Sequence, residues 1–285
     1  MKRRALFAGL AGAAFAGPAW AANGAPTPGG IDFQAPATAV MRDIVDFHNF
    51  LLPIIVVVSA FVLLLLLWVI VRYNRRANPN PRKFTHNIFV EVVWTIVPVL
   101  ILVVIAWRSF PLLYEEERIP SEAEYTLKVT GNAWNWTYEY PDLGVQITSV
   151  MLPEEDAIAA GRPRLLATTE PLFVPVDATV RVLVTSNDVI HAFAVPAFGI
   201  KEDAIQGRVN ETWFRVESSM IGGQEYFYGQ CSELCGKDHA FMPIEIRVVS
   251  REQFNQWVGA QGGWIPSEPA PATAAPVAPA ATPTR

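Results

Sequence analysis

The sequence predicts a two-helix membrane hairpin followed by an all-β sandwich or barrel. Residues 50–71 and 88–110 are apolar runs, each long enough to cross a hydrocarbon core of about 30 Å. From Arg118 onward the chain changes character. Short segments rich in β-branched and aromatic residues alternate with Gly, Pro and Asn, which is the pattern of many short strands joined by turns.

The N-terminus reads as an export signal over residues 1–21. Lys2, Arg3 and Arg4 precede a short apolar run, and Ala19-Trp20-Ala21 fits a small-x-small cleavage pattern. Residues 22–46 form an outer segment that leads into the hairpin, residues 47–113. Glu91 and Pro98 interrupt the second span, and Trp68, Trp94 and Trp107 suit interfacial or helix-packing positions. The loop between the spans carries Arg72, Arg75, Arg76, Arg82 and Lys83. By the positive-inside rule it is cytoplasmic, which puts the rest of the chain outside. The export signal implies the same orientation independently.

In the outer domain, residues 114–260, strands are expected over residues 125–130, 179–185, 212–216 and 244–249. Residues 153–171 are a polar excursion between strands. A closing helix is expected over residues 251–258, with Ser250 as its N-cap. Residues 261–285 read as a disordered Pro/Ala-rich tail. No Cys-x-x-Cys-His occurs, so no covalently attached haem is expected.

Charge is unevenly divided. Residues 1–110 hold ten Lys/Arg and four Asp/Glu, a net of +6; residues 111–285 hold twelve and twenty-three, a net of −11. An acidic outer domain repels nucleic acid and draws basic partners.

The chemistry concentrates in residues 229–243. Cys231, Cys235, His239 and Met242 place two thiols, an imidazole and a thioether within twelve residues. These soft or borderline donors suit copper or zinc rather than magnesium or calcium, and thiolate plus imidazole with a weak thioether is the donor set of electron-transfer copper. Zinc has no redox chemistry and rarely recruits Met. A Cys231–Cys235 disulfide remains open as an alternative, but it leaves the other donors unexplained. Of the four histidines, only His191 shares the outer domain with this cluster, so it is the second candidate imidazole.

The run Cys231-Ser-Glu233-Leu-Cys235-Gly-x-x-His239-x-x-Met242, with His191 upstream, resembles the dinuclear CuA motif of cytochrome c oxidase subunit II. The resemblance extends from the first span to about Val258. It includes residues 195–201 and Gly131-x-x-Trp134-x-Trp136-x-Tyr138-Glu139-Tyr140. It implies a cupredoxin-like Greek-key sandwich on a bacterial inner-membrane hairpin, with the sandwich in the periplasm. It also implies that Cys231 and Cys235 bridge two copper ions, that His191 and His239 each bind one, and that Met242 and the Glu233 carbonyl are weak axial ligands. The Glu233 side chain would help hold magnesium at the contact with subunit I. Trp134 would receive the electron from cytochrome c, Glu91 would serve proton uptake, and subunits I and III would be partners. No catalytic residue for oxygen reduction is expected in this chain; that site and its haem lie in subunit I. Alternation, however, puts Trp134 on one face with Trp136, Tyr138 and Tyr140, as four core aromatics. Glu139, Asp142 and Asp188 are the carboxylates nearest the motifs for steering a basic cytochrome. Rival readings fit less well. A quinol oxidase subunit II lacks the copper ligands, the nitrous oxide reductase domain is soluble, and copper chaperones do not require this loop.

Overall fold

A computed structural model describes residues 24–265. The expected export signal and the expected tail beyond residue 265 lie outside the described residues. Two compact units divide the chain. Residues 42–118 form one, and the described residues before and after them form the other.

The helical unit contains most of α1 (Ala39–Arg72) and α2 (Ile88–Glu117). At 1.5 Å per residue the 34 residues of α1 span about 51 Å, well beyond the core of a bilayer. Both helices therefore outrun the expected spans. Each carries a stretch apolar enough to cross a membrane, and none of that stretch is buried in either helix. Helix α1 starts at Ala39 because Thr38 caps it: the hydroxyl accepts the Met41 N–H (3.1 Å) and donates to the Phe198 carbonyl (2.8 Å). At the start of α2, Asn87 Oδ1 accepts the Val90 N–H (3.2 Å), while Glu91 Oε1 accepts the Asn87 N–H (3.0 Å). A carboxylate in the first turn also suits the positive end of the helix dipole.

The second unit is a β-sandwich of two five-stranded sheets. One sheet has the order β3 (Val145–Ser149), β2 (Asn135–Tyr140), β1 (Tyr125–Asn132), β5 (Thr179–Ser186), β8 (Asn210–Arg215). The other has the order β4 (Leu172–Pro175), β10 (Pro243–Val249), β9 (Tyr226–Cys231), β6 (His191–Val195), β7 (Ile200–Ala204). Pairing is antiparallel except between β1 and β5 and between β4 and β10. Alternate residues of three strands point into the core: Leu127 and Val129, Val180, Val182 and Val184, and Ile244, Ile246 and Val248 are all buried.

Glu245 breaks that pattern by being fully buried on the opposite side of β10. The excursion between β3 and β4, which carries the short helix α3 (Glu154–Ala159), covers it. Arg162 Nη1 approaches both carboxylate oxygens (2.9 and 3.1 Å), and the Thr168 N–H (2.6 Å) and hydroxyl (3.1 Å) complete the set. After a four-residue helix α4 (Ser218–Ile221) and the last two strands, α5 (Arg251–Ala260) closes the fold. Ser250 and Gln253 form a reciprocal capping box there. The chain stays docked past the expected boundary at residue 260, since the Trp264 N–H bonds to the Leu143 carbonyl (3.0 Å).

Candidate metal centre

Four chain segments converge at one end of the sandwich. The turn after β5 delivers His191 as the first residue of β6, and β9 ends on Cys231. The loop to β10 carries Cys235, a short 3-10 turn begins at His239, and Met242 immediately precedes β10. Antiparallel register sets Phe193 opposite Cys231 and Pro243 opposite Gln230, which holds the loop ends close together. Finally, the β1–β2 hairpin places its two-residue turn, Ala133-Trp134, beside the loop.

Both cysteines are free and buried, with their sulfurs 3.8 Å apart. That is far beyond the S–S bond of about 2.05 Å, and close enough for both to contact a common ion. His191 Nδ1 lies 3.8 Å from Cys231 Sγ, and His239 Nδ1 lies 3.5 Å from Cys235 Sγ, so each imidazole approaches a different thiol. Met242 Sδ is 3.5 Å from Cys235 Sγ, and the Glu233 carbonyl oxygen is 3.3 Å from Cys231 Sγ. All six expected metal-site residues therefore meet in one place. The donor set, two sulfurs flanked by two imidazoles with a thioether and a carbonyl at the margin, fits a pair of soft ions.

Electrostatics already separates the two thiols. Burial pushes Cys231 up, but hydrogen bonding with His191 and backbone contacts at Glu233 and Ala192 outweigh it and bring the thiol down to about 6. Burial, and then the charge on Cys231, push Cys235 up. His191 is fully buried. Burial favours its neutral form, yet Cys231 and Asp188 together hold its pKa above the usual histidine value.

Asp188 was expected as a surface acid that steers a partner, and its place corrects that expectation. One carboxylate oxygen lies 2.8 Å from His191 Nε2 and also accepts the Val189 N–H (2.7 Å). The other accepts the Ala133 N–H (2.5 Å). Burial raises the Asp188 pKa, but these bonds outweigh it and leave the carboxyl below the usual range. The arrangement fixes the tautomer of His191 with Nδ1 facing the sulfurs, which is the second-layer role of a carboxylate behind a metal-binding imidazole. Glu139 is likewise engaged, in an ion pair with Lys128 at 3.0 Å. Asp142 is exposed.

Trp134 departs from the reading by alternation, which groups it with the core aromatics. Strand parity fails because β1 ends at Asn132 and β2 starts at Asn135. The tryptophan sits in the turn, half-buried, while Trp136, Tyr138 and Tyr140 fill the core. Its Nε1–H donates to the Cys235 carbonyl (3.2 Å). Gly236, at φ +124, lies directly against it: a Cβ there would come within 3.1 Å of the ring. Trp136 reaches the same loop from inside, donating to the Met242 carbonyl (3.1 Å) and meeting the His191 ring edge-on. On β1, Gly131 leaves room for His191, since a Cβ there would lie 2.8 Å from the imidazole. Sequence reasoning missed the supporting roles of Asp188, Trp136 and Gly131. Only the spacing of an acid three residues before His191 pointed to the first.

The periplasmic-domain family model of cytochrome C oxidase subunit II matches residues 125–249, and the transmembrane-domain model of the same subunit matches residues 26–112. A probable cytochrome c oxidase subunit 2 of Rickettsia bellii is 47% identical over 237 residues, covering 83% of this chain and 86% of the relative. The Cereibacter sphaeroides subunit 2 is 45% identical over 258 residues, covering 84% and 83%. Among solved structures, the periplasmic domain of subunit II from Bradyrhizobium japonicum is 49% identical, covers 51% of this chain and 97% of that one, and has a TM-score of 0.45. With both of its halves matched by the family models and these relatives covered over more than four-fifths of their length, the chain belongs to the cytochrome c oxidase subunit II family.

Proposed function

We propose that this subunit receives electrons from cytochrome c at a dinuclear copper centre and serves oxygen reduction and proton translocation in its partner subunits. The convergence of two free thiols 3.8 Å apart, each approached by its own imidazole, carries the reading. Cys231, Cys235, His191 and His239 would hold the ions, with Met242 and the Glu233 carbonyl as weaker donors close to the sulfurs. When bound, a copper pair would supply a one-electron store between cytochrome c and the haem of subunit I.

The protein's own contribution is to keep that set rigid. Asp188 holds the His191 ring and its tautomer, and Trp136 pins the backbone at Met242. Trp134 spans from the surface to the Cys235 carbonyl, which supports it as the path from the donor. Glu233 is exposed in the loop, so its carboxylate is free to reach a magnesium ion shared with subunit I, a hard cation suited to it. Glu91 is kept as a proton-uptake candidate. Its cap on Asn87 gives the carboxylate a structural reason to be there as well. Arg72 at the end of α1 and the four cations between the helices favour a cytoplasmic loop, hence a multi-pass inner-membrane protein with its sandwich in the periplasm, lipid around the helices and subunits I and III beside it.

The assembled oxidase should contain two coppers attributable to this subunit and show a purple mixed-valence spectrum. That spectrum should disappear in Cys231→Ser or Cys235→Ser. A colourless copper-loaded subunit would overturn the proposal.

A further inference from the structure

Lys237 stands where the proposed electron path meets solvent. Its ammonium nitrogen lies 5.4 Å from the centre of the Trp134 ring, within the range in which a cation is held by an aromatic face. The side chain is 76% exposed, and Asp238 lies 3.5 Å away. The approach depends on Gly236, whose missing side chain lets the backbone lie against the indole and carry the next residue across it. A cation here runs against the charge of its own unit, since residues 119–265 hold ten Lys/Arg and nineteen Asp/Glu, a net of −9.

Resting on the electron-transfer reading of Trp134, we propose that Lys237 is a specificity-determining residue that selects donors presenting an uncharged surface to Trp134. The acidic domain draws in any basic donor over a long range. A donor whose own cation faced the indole would meet the Lys237 ammonium at close quarters, whereas one with its cations away from the contact would not. Like charges set face to face are how an interface rejects a wrong register or a wrong partner. In water, two unit charges about 7 Å apart change an equilibrium or a rate roughly threefold.

The test uses the assembled oxidase, with copper reduction followed by stopped flow. The donor is a c-type cytochrome engineered to carry a lysine at the centre of its contact face, compared with its uncharged parent. Lys237→Met should raise the second-order rate of the lysine-bearing donor roughly threefold at low salt, and Lys237→Glu by roughly the square of that factor. Both gains should vanish near 1 M salt, where the screening length is about 3 Å. The uncharged parent donor should respond several-fold less. Equal responses from the two donors, a gain that survives high salt, or a fall in rate would overturn the proposal. Trp134→Ala separates the underlying reading: if it leaves reduction as fast while Lys237→Met still discriminates between the donors, the charge filter stands and the path through Trp134 does not.

Discussion

Replacing Asp188 tests whether the proposed metal centre depends on a residue outside its donor set. His191 is fully buried, and its Nε2 has the Asp188 carboxylate at 2.8 Å. Truncation to Ala leaves that buried N–H without a partner, a loss of about 1–3 kcal/mol. It also frees the ring to turn Nδ1 away from Cys231. Outer carboxylates of this kind are typically worth about 10–100-fold in metal affinity. Asp188→Asn keeps an acceptor but removes the charge, so its loss should be smaller, nearer the lower end of that range. The assay is a competition titration of copper against a chelator of known affinity, on the full chain in detergent, with near-ultraviolet circular dichroism to check packing. A Kd for Asp188→Ala within twofold of the parent, in a protein that packs normally, would refute the argument that the carboxylate orients the imidazole.

Three more substitutions probe the same frame. Gly131→Ala puts a methyl 2.8 Å from the His191 ring, so copper affinity should fall at least tenfold, by the logic of a displaced ligand; an unchanged titration would show that β1 yields easily. Trp136→Phe keeps the aromatic packing but orphans the Met242 carbonyl, and thermal unfolding should register a loss of about 1–3 kcal/mol, together with a shifted copper spectrum. Arg162→Leu strands the fully buried Glu245 carboxylate and should cost about 3–5 kcal/mol, whereas Arg162→Leu combined with Glu245→Val should recover most of it. Equal losses in the single and double variants would contradict the view that the unpaired charge is the source.

The parts legible in the sequence were those governed by local rules. Apolar length marked the two helices, runs of β-branched and aromatic residues between turn residues marked β1, β5, β8 and β10, and the capping residue Ser250 marked α5. That these six residues cluster was legible because five of them lie in one short loop and only one other outer-domain histidine was available. Helix ends were not legible, because Thr38 starts α1 through a bond to Phe198, 160 residues away. Trp134 was misplaced for a related reason. Alternation assumes that a strand continues, and the β1–β2 turn interrupts it two residues before the first core aromatic. Asp188 looked like a solvated acid because nothing in a linear reading reveals that Ala133, 55 residues earlier, supplies one of its donors.

These long-range bonds explain why the centre sits where sheet meets loop rather than within either. A loop by itself would let each donor move, and strands by themselves would not bring one imidazole to each of two sulfurs. Here β6 and β9 fix His191 and Cys231 in register, while Trp134 and Trp136, from the opposite sheet, each donate to a carbonyl of the loop, at Cys235 and Met242. One tryptophan is half-exposed and the other is in the core, so the loop is held from its solvent side and from beneath. Electron transfer favours a centre whose geometry barely changes with charge, and a loop tied at both ends by the sandwich suits that requirement.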